Sequence, residues 1–309
     1  MTETPQPSSQ TIFDRALLRR RRRRAEALGP ATFLLDRVAQ DFAERLAAVL
    51  RRFECAVDLG TPGGAVSMRL AGLGSIGTIV AADTLAASRT APEQTNIKFV
   101  AADVEALPFR NACLDLVVSA LALQFANDLP GTLIQIRRAL RPDGLLLAAL
   151  AGGDTLTELR QSFAEAESEI EGGVSPHVAP FADVRGLGDL LQRAGFALPV
   201  TDSDRYTLRY ATPFALMHEL RRMGATNALV ARRRTPLRRA TLMRMAEIYQ
   251  QRFADADGRV RVTFEIVWLS GWAPHESQQQ PLRPGSAQAR LADALGTQEI
   301  STGEKAGRT

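Results

Sequence analysis

The chain has 309 residues, 45% of them hydrophobic, with a mean hydropathy of -0.09. This suits one large α/β domain, and no apolar run approaches the roughly 18 residues that a membrane helix needs. The net charge of +4 sits in residues 1–30, where Arg15 and Arg19 to Arg24 outnumber Glu3, Asp14 and Glu26; the body is balanced, which argues against a nucleic-acid surface spread over the fold.

In chain order, residues 1 to about 10 are polar and proline-bearing and read as disordered. Residues 1–30 form a basic arm whose run Arg19 to Arg24 reads as a solvated helix end or a disordered arm; the functional alternative is docking on an acidic protein or an anionic membrane surface. No apolar segment of secretory type follows the arginines, so the expected location is cytoplasmic, at most peripheral at the inner face of the membrane. Helical spacing of Phe33, Leu34, Val38, Phe42, Leu46 and Val49 predicts a helix over 33–52. Strands are predicted at 55–60, 78–83, 97–103 and 114–121, with helices at 64–71 and 129–140. "RPDG", Arg141 to Gly144, is a turn launching a strand at 145–150. This alternation predicts an α/β fold with parallel strands and crossover helices on both faces.

"TLTE", Thr155 to Glu158, reads as a capping box opening a helix to about Ile170. A turn-rich loop at 171–181 and a helix at 184–194 follow. Two late strands, 200–210 and 260–268, enclose helical segments at 213–223 and 236–253, an insertion of about 211–256 that could cover a cleft. The tail, 286–309, reads as mobile. Cys55 and Cys113 open apolar runs and read as buried hydrophobes of a reducing compartment; no Cys/His spacing suggests a metal.

Three acids fall at predicted strand ends: Asp58, Asp83 and Asp103. Ligands of open parallel sheets sit beyond the carboxyl ends of the strands, and Asp83 follows Asp58 at near the spacing of a ribose-binding acid. Singly, each acid reads as a helix cap; three in register beside the glycine turn "DLGTPGG" favour an adenosyl cofactor. Gly60, Gly63 and Gly64 do not spell the dinucleotide fingerprint, and no phosphate-loop lysine is present. A strand ending in this way is typical of S-adenosylmethionine sites. Pro62 removes one amide donor and fixes φ, so Pro62→Gly is expected to raise cofactor affinity.

"VDLG", Asp83, "AADVEALPF", "LDLVVSALALQF" and "LRPDG", within residues 55–150, resemble the class I S-adenosylmethionine-dependent methyltransferases. The resemblance implies a Rossmann-like, doubly wound sheet of seven strands, a domain over 31–285 with its core at 55–153, and S-adenosylmethionine as cofactor. Asp58, Gly60 and Gly64 match the first cofactor motif, Asp83 the ribose acid and Asp103 the adenine-side acid. The flanks "IFDRALLRRRRRRA", "GGDTLTELR", "EGGVSPHVAPF", "LGDLLQRAGF", "LRRMGATNAL", "DGRV" and "GWAPHESQQQPLRPGSA" resemble the respiratory complex I assembly factors of this fold, from about Ile12 to Ala287. That implies hydroxylation of an arginine on the complex I subunit beside its terminal iron–sulfur cluster, with a protein substrate or assembly intermediate as partner. The malonyl-carrier-protein methyltransferases are broader neighbours, implying methyl transfer to a small molecule or carrier-bound acid. A third reading is a non-catalytic assembly chaperone with a degenerate loop, favoured by Pro62 and opposed by the retained acids.

Two positions depart from the family pattern. Pro62 replaces the middle glycine of "DLGxGxG", and Gln124-Phe125 stands where "LHW" is expected. Glutamine donates and accepts hydrogen bonds but cannot act as a base near neutral pH. Besides Gln124, the candidate catalytic residues are His177 and His275, which could converge with Glu276 or Asp154; the preferred reading is that both orient loops, with no metal bound. Trp268 is expected in the core, with Trp272 holding the loop after it.

Overall fold

The structure, a computed structural model, describes residues 11–85, 95–279, 293 and 295–298. The expected disorder of residues 1–10 lies outside them, as does most of the 286–309 tail. The chain divides into two units, Met1–Pro274 and His275–Thr309.

The first unit holds the strands β1 (Phe53–Leu59), β2 (Ile76–Asp83), β3 (Ile97–Ala101), β4 (Leu114–Ala120), β5 (Leu140–Ala151), β6 (Ala197–Tyr210) and β7 (Val260–Trp272). They form one sheet in the order β3-β2-β1-β4-β5-β7-β6. All neighbours are parallel except β7, which runs antiparallel to both β5 and β6. This is the seven-stranded, doubly wound sheet expected from the sequence. β4 is buried along its whole length, as a continuous apolar run requires when both faces are covered. β6, at the edge, alternates half-buried with exposed residues, one face packed and one wet.

Helices α1 (Arg15–Ala27), α2 (Phe33–Ala47), α3 (Ala65–Ala71), α4 (Leu129–Ala139), α5 (Thr157–Glu171), α6 (Val184–Arg193), α7 (Pro213–Arg222) and α8 (Arg239–Phe253) complete the unit. Phe42, Val66, Phe163, Leu216 and Met245 cover one face of the sheet. Leu133 and Ile136 of α4 with Leu187 and Leu191 of α6 cover the other. α7 and α8 lie between β6 and β7 in the chain, and α8 is tied to α5 by Arg244 on Glu169 at 2.6 Å.

Several local expectations change. Thr155 and Glu158 do not form a capping box. Thr155 Oγ donates to the Glu265 carbonyl at 3.0 Å, and Glu158 accepts from the Thr263 hydroxyl and amide at 2.6 and 3.0 Å. Both side chains fasten α5 to β7, while Leu156, in left-handed backbone, stands at the helix start without a side-chain cap. The "RPDG" turn lies inside β5, held out of register with β4 and carrying Asp143 at φ 63°. Cys55 and Cys113 are half-buried free thiols rather than core residues. The largest difference is α1. The basic arm is a helix solvated on one face only: Arg19, Arg20, Arg23 and Arg24 are exposed, while Leu18 and Ala25 are buried.

Candidate active site

β1, β2 and β3 end side by side, which brings the three acids to one rim. Asp58 and Asp83 line one small cavity, and Asp83 and Asp103 line the next. Asp58 Oδ2 accepts from the Ser67 amide at 2.9 Å and hydroxyl at 2.6 Å, tying the end of β1 to α3. Its Oδ1 is buried without a hydrogen-bond partner, and burial pushes the carboxyl up to about 6. Asp103 Oδ1 caps the following turn by accepting from the Glu105 amide at 2.8 Å.

The loop between Asp58 and α3 explains its own composition. Gly60, Gly63 and Gly64 have φ of 72°, 75° and 68°, the left-handed region that glycine enters at no steric cost. A Cβ on Gly60 would also lie 2.8 Å from Val104 Cγ1 and 3.0 Å from Ala122 Cβ. Pro62 opens the one-turn helix Pro62–Gly64, the position where a fixed φ is pre-organised and a missing amide breaks no helical bond. The departure from the glycine pattern therefore falls where the turn needs no glycine.

The basic arm straps this rim. Arg15 reaches Asp103 and Glu105, both at 2.6 Å. The Asn127 carboxamide accepts from the amides of Ile12 and Phe13 at 2.9 and 2.7 Å, and its own amide bonds Glu105. Phe13 pairs with Leu229 in an isolated antiparallel bridge and meets Phe125 edge-on with ring centres 5.5 Å apart. Of the arginine run, Arg19, Arg20, Arg23 and Arg24 are exposed. Arg21 and Arg22 turn inward: Arg21 donates to the Asn227 carbonyl, and Arg22 lies 3.7 Å from Asp83 Oδ1. The sequence reading missed Arg15, Arg22 and Asn127 as site residues. The spacing Arg15, Leu18, Arg22, Ala25 marks one helix face and was the available signal; the neighbouring arginines obscured it.

Under the strap lies a small cavity walled by Arg15, Leu18, Arg22, Asp83, Asp103 and Phe125. Arg22, Asp83 and Phe125 also belong to a second, larger cavity that reaches Pro62, Leu121 and Gln124. Gln124 Oε1 is buried there without a partner. Leu121 and Leu156, both on this wall, hold left-handed backbone at φ 51° and 56°, strain of the kind that gathers at functional sites. His177 lines a third cavity that shares Phe125, Leu156 and Phe181 with the second. Its Nε2 lies 2.9 Å from Glu167, and its ring stacks on Phe163 at 3.9 Å. Glu167 also accepts from the Ser175 amide at 2.6 Å, so this pair shapes the loop. His275 belongs to the second unit, where its Nδ1 lies 2.7 Å from the Ser277 hydroxyl. Asp154 is engaged by Arg205. Among the described residues, no three His, Cys, Asp or Glu side chains gather as a metal site. Trp268 is core, donating its indole N–H to Asp204 at 2.9 Å.

The rim offers what an adenosyl ligand requires. Asp83 presents a carboxylate at the end of β2, Asp58 an unpaired buried acceptor, and Gly60 a backbone that no side chain could share. Asp58, Gly60, Gly64, Asp83 and Asp103 could hold such a group.

A family profile described as a methyltransferase domain matches residues 57–148. The human mitochondrial protein named arginine-hydroxylase NDUFAF5 is 40% identical over 286 residues, 91% of this chain and 82% of the relative. The chain belongs to the NDUFAF5 arginine-hydroxylase family. The mouse protein of the same name aligns over 97% of this chain at 37% identity, so similarity to family members runs through the strap and the insertion, well outside the methyltransferase-domain match. A malonyl-[acyl-carrier protein] O-methyltransferase of Xylella fastidiosa (strain M23) is 42% identical over 172 residues, 56% of each chain. Among solved structures, a protein of Bacillus halodurans C-125 assigned as a methyltransferase superposes with a TM-score of 0.51 at 17% identity, covering 76% of this chain and 98% of its own. The superposition shows that this chain carries the methyltransferase fold, and residues 57–148 match the methyltransferase domain.

Proposed function

We propose that this protein binds S-adenosylmethionine and hydroxylates an arginine side chain of a protein during assembly of respiratory complex I. The observation that supports this most is the extent of similarity: 91% of the chain aligns with a protein named for arginine hydroxylation, against 56% with the malonyl-carrier methyltransferase. Asp83 would take the ribose hydroxyls, Asp103 the adenine side, and the Gly60 and Gly64 backbone the close approach of the ligand. When bound, the cofactor supplies a sulfonium-activated methyl group. Hydroxylation instead turns a C–H bond into C–OH, a two-electron oxidation: dioxygen gives one oxygen atom to the carbon, and a two-electron reductant with two protons takes the other to water. The chain's part is to hold the arginine in the larger cavity, exclude water with its apolar wall, and meet a substrate N–H with Gln124 Oε1. The proposal includes a peripheral position at the inner face of the membrane, through the exposed arginines of α1. Among the described residues, no helix is long and apolar enough to cross a membrane.

One feature favours methyl transfer to a carrier-bound acid as a second reading: Arg22 and Arg222 both line the larger cavity, which would suit a carboxylate. Mass spectrometry of complex I subunits from cells with and without the protein separates the readings. Hydroxylation predicts that one arginine loses an oxygen atom's mass when the protein is removed. Loss of a methylene's mass from a subunit or carrier instead means methyl transfer, and unchanged masses with failed assembly leave a chaperone.

A further inference from the structure

The guanidinium of Arg22 is a cation without an adequate partner. Its side chain is 14% exposed. Among the described residues it makes no hydrogen bond, and its one carboxylate contact, Asp83 Oδ1 at 3.7 Å, is too long for one. A guanidinium offers five N–H donors in a planar fork, and those of Arg22 face two cavities rather than protein acceptors. The neighbouring charges do not remove the deficit. Arg15 is turned to Asp103 and Glu105 and repels Arg22, while Asp83 and Glu26 attract it. The Phe125 ring lies 5.9 Å away, giving a weak cation–π contact.

The position of Arg22 says which anion it awaits. It stands on the wall common to the smaller cavity, with Asp83 and Asp103, and the larger one, with Pro62, Gly63, Leu121 and Gln124. A ligand with its adenosine in the first and its amino-acid end beside the loop in the second passes this guanidinium. We infer that Arg22 binds the α-carboxylate of the cofactor, so that α1 supplies part of the cofactor site. The inference rests on the proposed S-adenosylmethionine binding. The ligand's ribose hydroxyls are donors suited to Asp83; its ammonium and sulfonium are cations; the carboxylate is its one anion, and it matches a guanidinium fork in two parallel hydrogen bonds. Drawing Arg22 onto the carboxylate also frees Asp83 Oδ1 for the ribose. Arg222 is the less suitable cation, since it is exposed and its Nε donates to the Gly29 carbonyl at 2.7 Å.

The test compares S-adenosylmethionine with its decarboxylated form, which lacks only this group, by calorimetry on the full chain. The wild type should prefer the carboxylated ligand by roughly ten- to hundredfold, the range for hydrogen bonds between charged partners. Arg22→Gln should erase most of that preference by weakening the carboxylated ligand alone. Arg22→Lys keeps the charge without the fork and should retain an intermediate preference; it carries the test if the glutamine variant fails to fold. A wild type that does not distinguish the two ligands overturns the inference. So does an Arg22→Gln variant that keeps the wild-type preference, the result expected if the anion belongs to the substrate, or one that weakens both ligands equally. Failure of the wild type to bind either ligand removes the cofactor reading and this inference with it. An intact ligand preference without arginine hydroxylation overturns only the proposed reaction.

Discussion

Asp58 carries its carboxyl at 2% exposure, and burial raises its pKa from 3.8 to about 6. Between those values the folded protein binds more protons than the unfolded chain, so stability falls as pH rises from about 4 to about 6, by roughly 2–3 kcal/mol for this group. Asp58→Asn keeps an acceptor for the Ser67 amide and removes the buried charge. The variant without cofactor should be more stable than the wild type at pH 7 and lack the fall through that window; thermal midpoints across pH 4 to 7 check this. Pro62→Gly should leave cofactor affinity unchanged and lower stability by about 0.4–1 kcal/mol, because the proline restricts the unfolded chain at a position that needs no glycine. Calorimetry and denaturant midpoints read the two effects separately. At this scale the sequence was informative where chemistry and backbone constraint coincide. Gly60 and Gly64 each follow from a left-handed turn that tolerates little else, and the strand-end acids follow from the sheet's open edge. Arg22 was hidden because an arginine inside a charged run looks identical to its solvated neighbours until the helix face is known.

α1 joins two roles in one helix. Arg15, Leu18, Arg22 and Ala25 face the site, while Arg19, Arg20, Arg23 and Arg24 face outward. Replacing those four exposed arginines with glutamine should leave the fold intact, since exposed charges contribute little to stability. It should slow association with vesicles containing phosphatidylserine at low salt, and the wild-type advantage should shrink as ionic strength approaches and passes 0.15 M, where the Debye length is about 8 Å. Extending the change to Arg21, which donates to the Asn227 carbonyl, should lower the thermal midpoint as well. The elements of the sheet were readable because strand and helix periods differ sharply, as in β4 with its unbroken apolar run. What failed were local signals with tertiary answers. Thr155 and Glu158 have the spacing of a cap, yet β7 offers them the Glu265 carbonyl and the Thr263 amide and hydroxyl, partners that the sequence around them could not reveal.

For the whole molecule, the parallel core presents the rim, and the strap from the chain's start closes over it. Cofactor that bridges the two should stabilise them together. At one hundred times its dissociation constant a ligand of the folded state adds about 2.7 kcal/mol, which for a chain of this size raises the thermal midpoint by several degrees. Amide exchange should slow most in α1 and in residues 226–230, which pair with it. Uniform slowing across the sheet with α1 unchanged would mean that the strap does not sense the ligand.

The pairing of the first turn of chain with the insertion also sets an order in time. Arg21 bonds Asn227, 206 residues further on, and Phe13 waits for Leu229. At translation speeds of about 5–20 residues per second, that separation corresponds to roughly 10 to 40 s. During this interval the six consecutive arginines emerge without their partners, every one of them open to capture. Once the insertion arrives, two are withdrawn into the protein and four remain outside. The newborn chain and the finished enzyme therefore present different faces to anything acidic nearby.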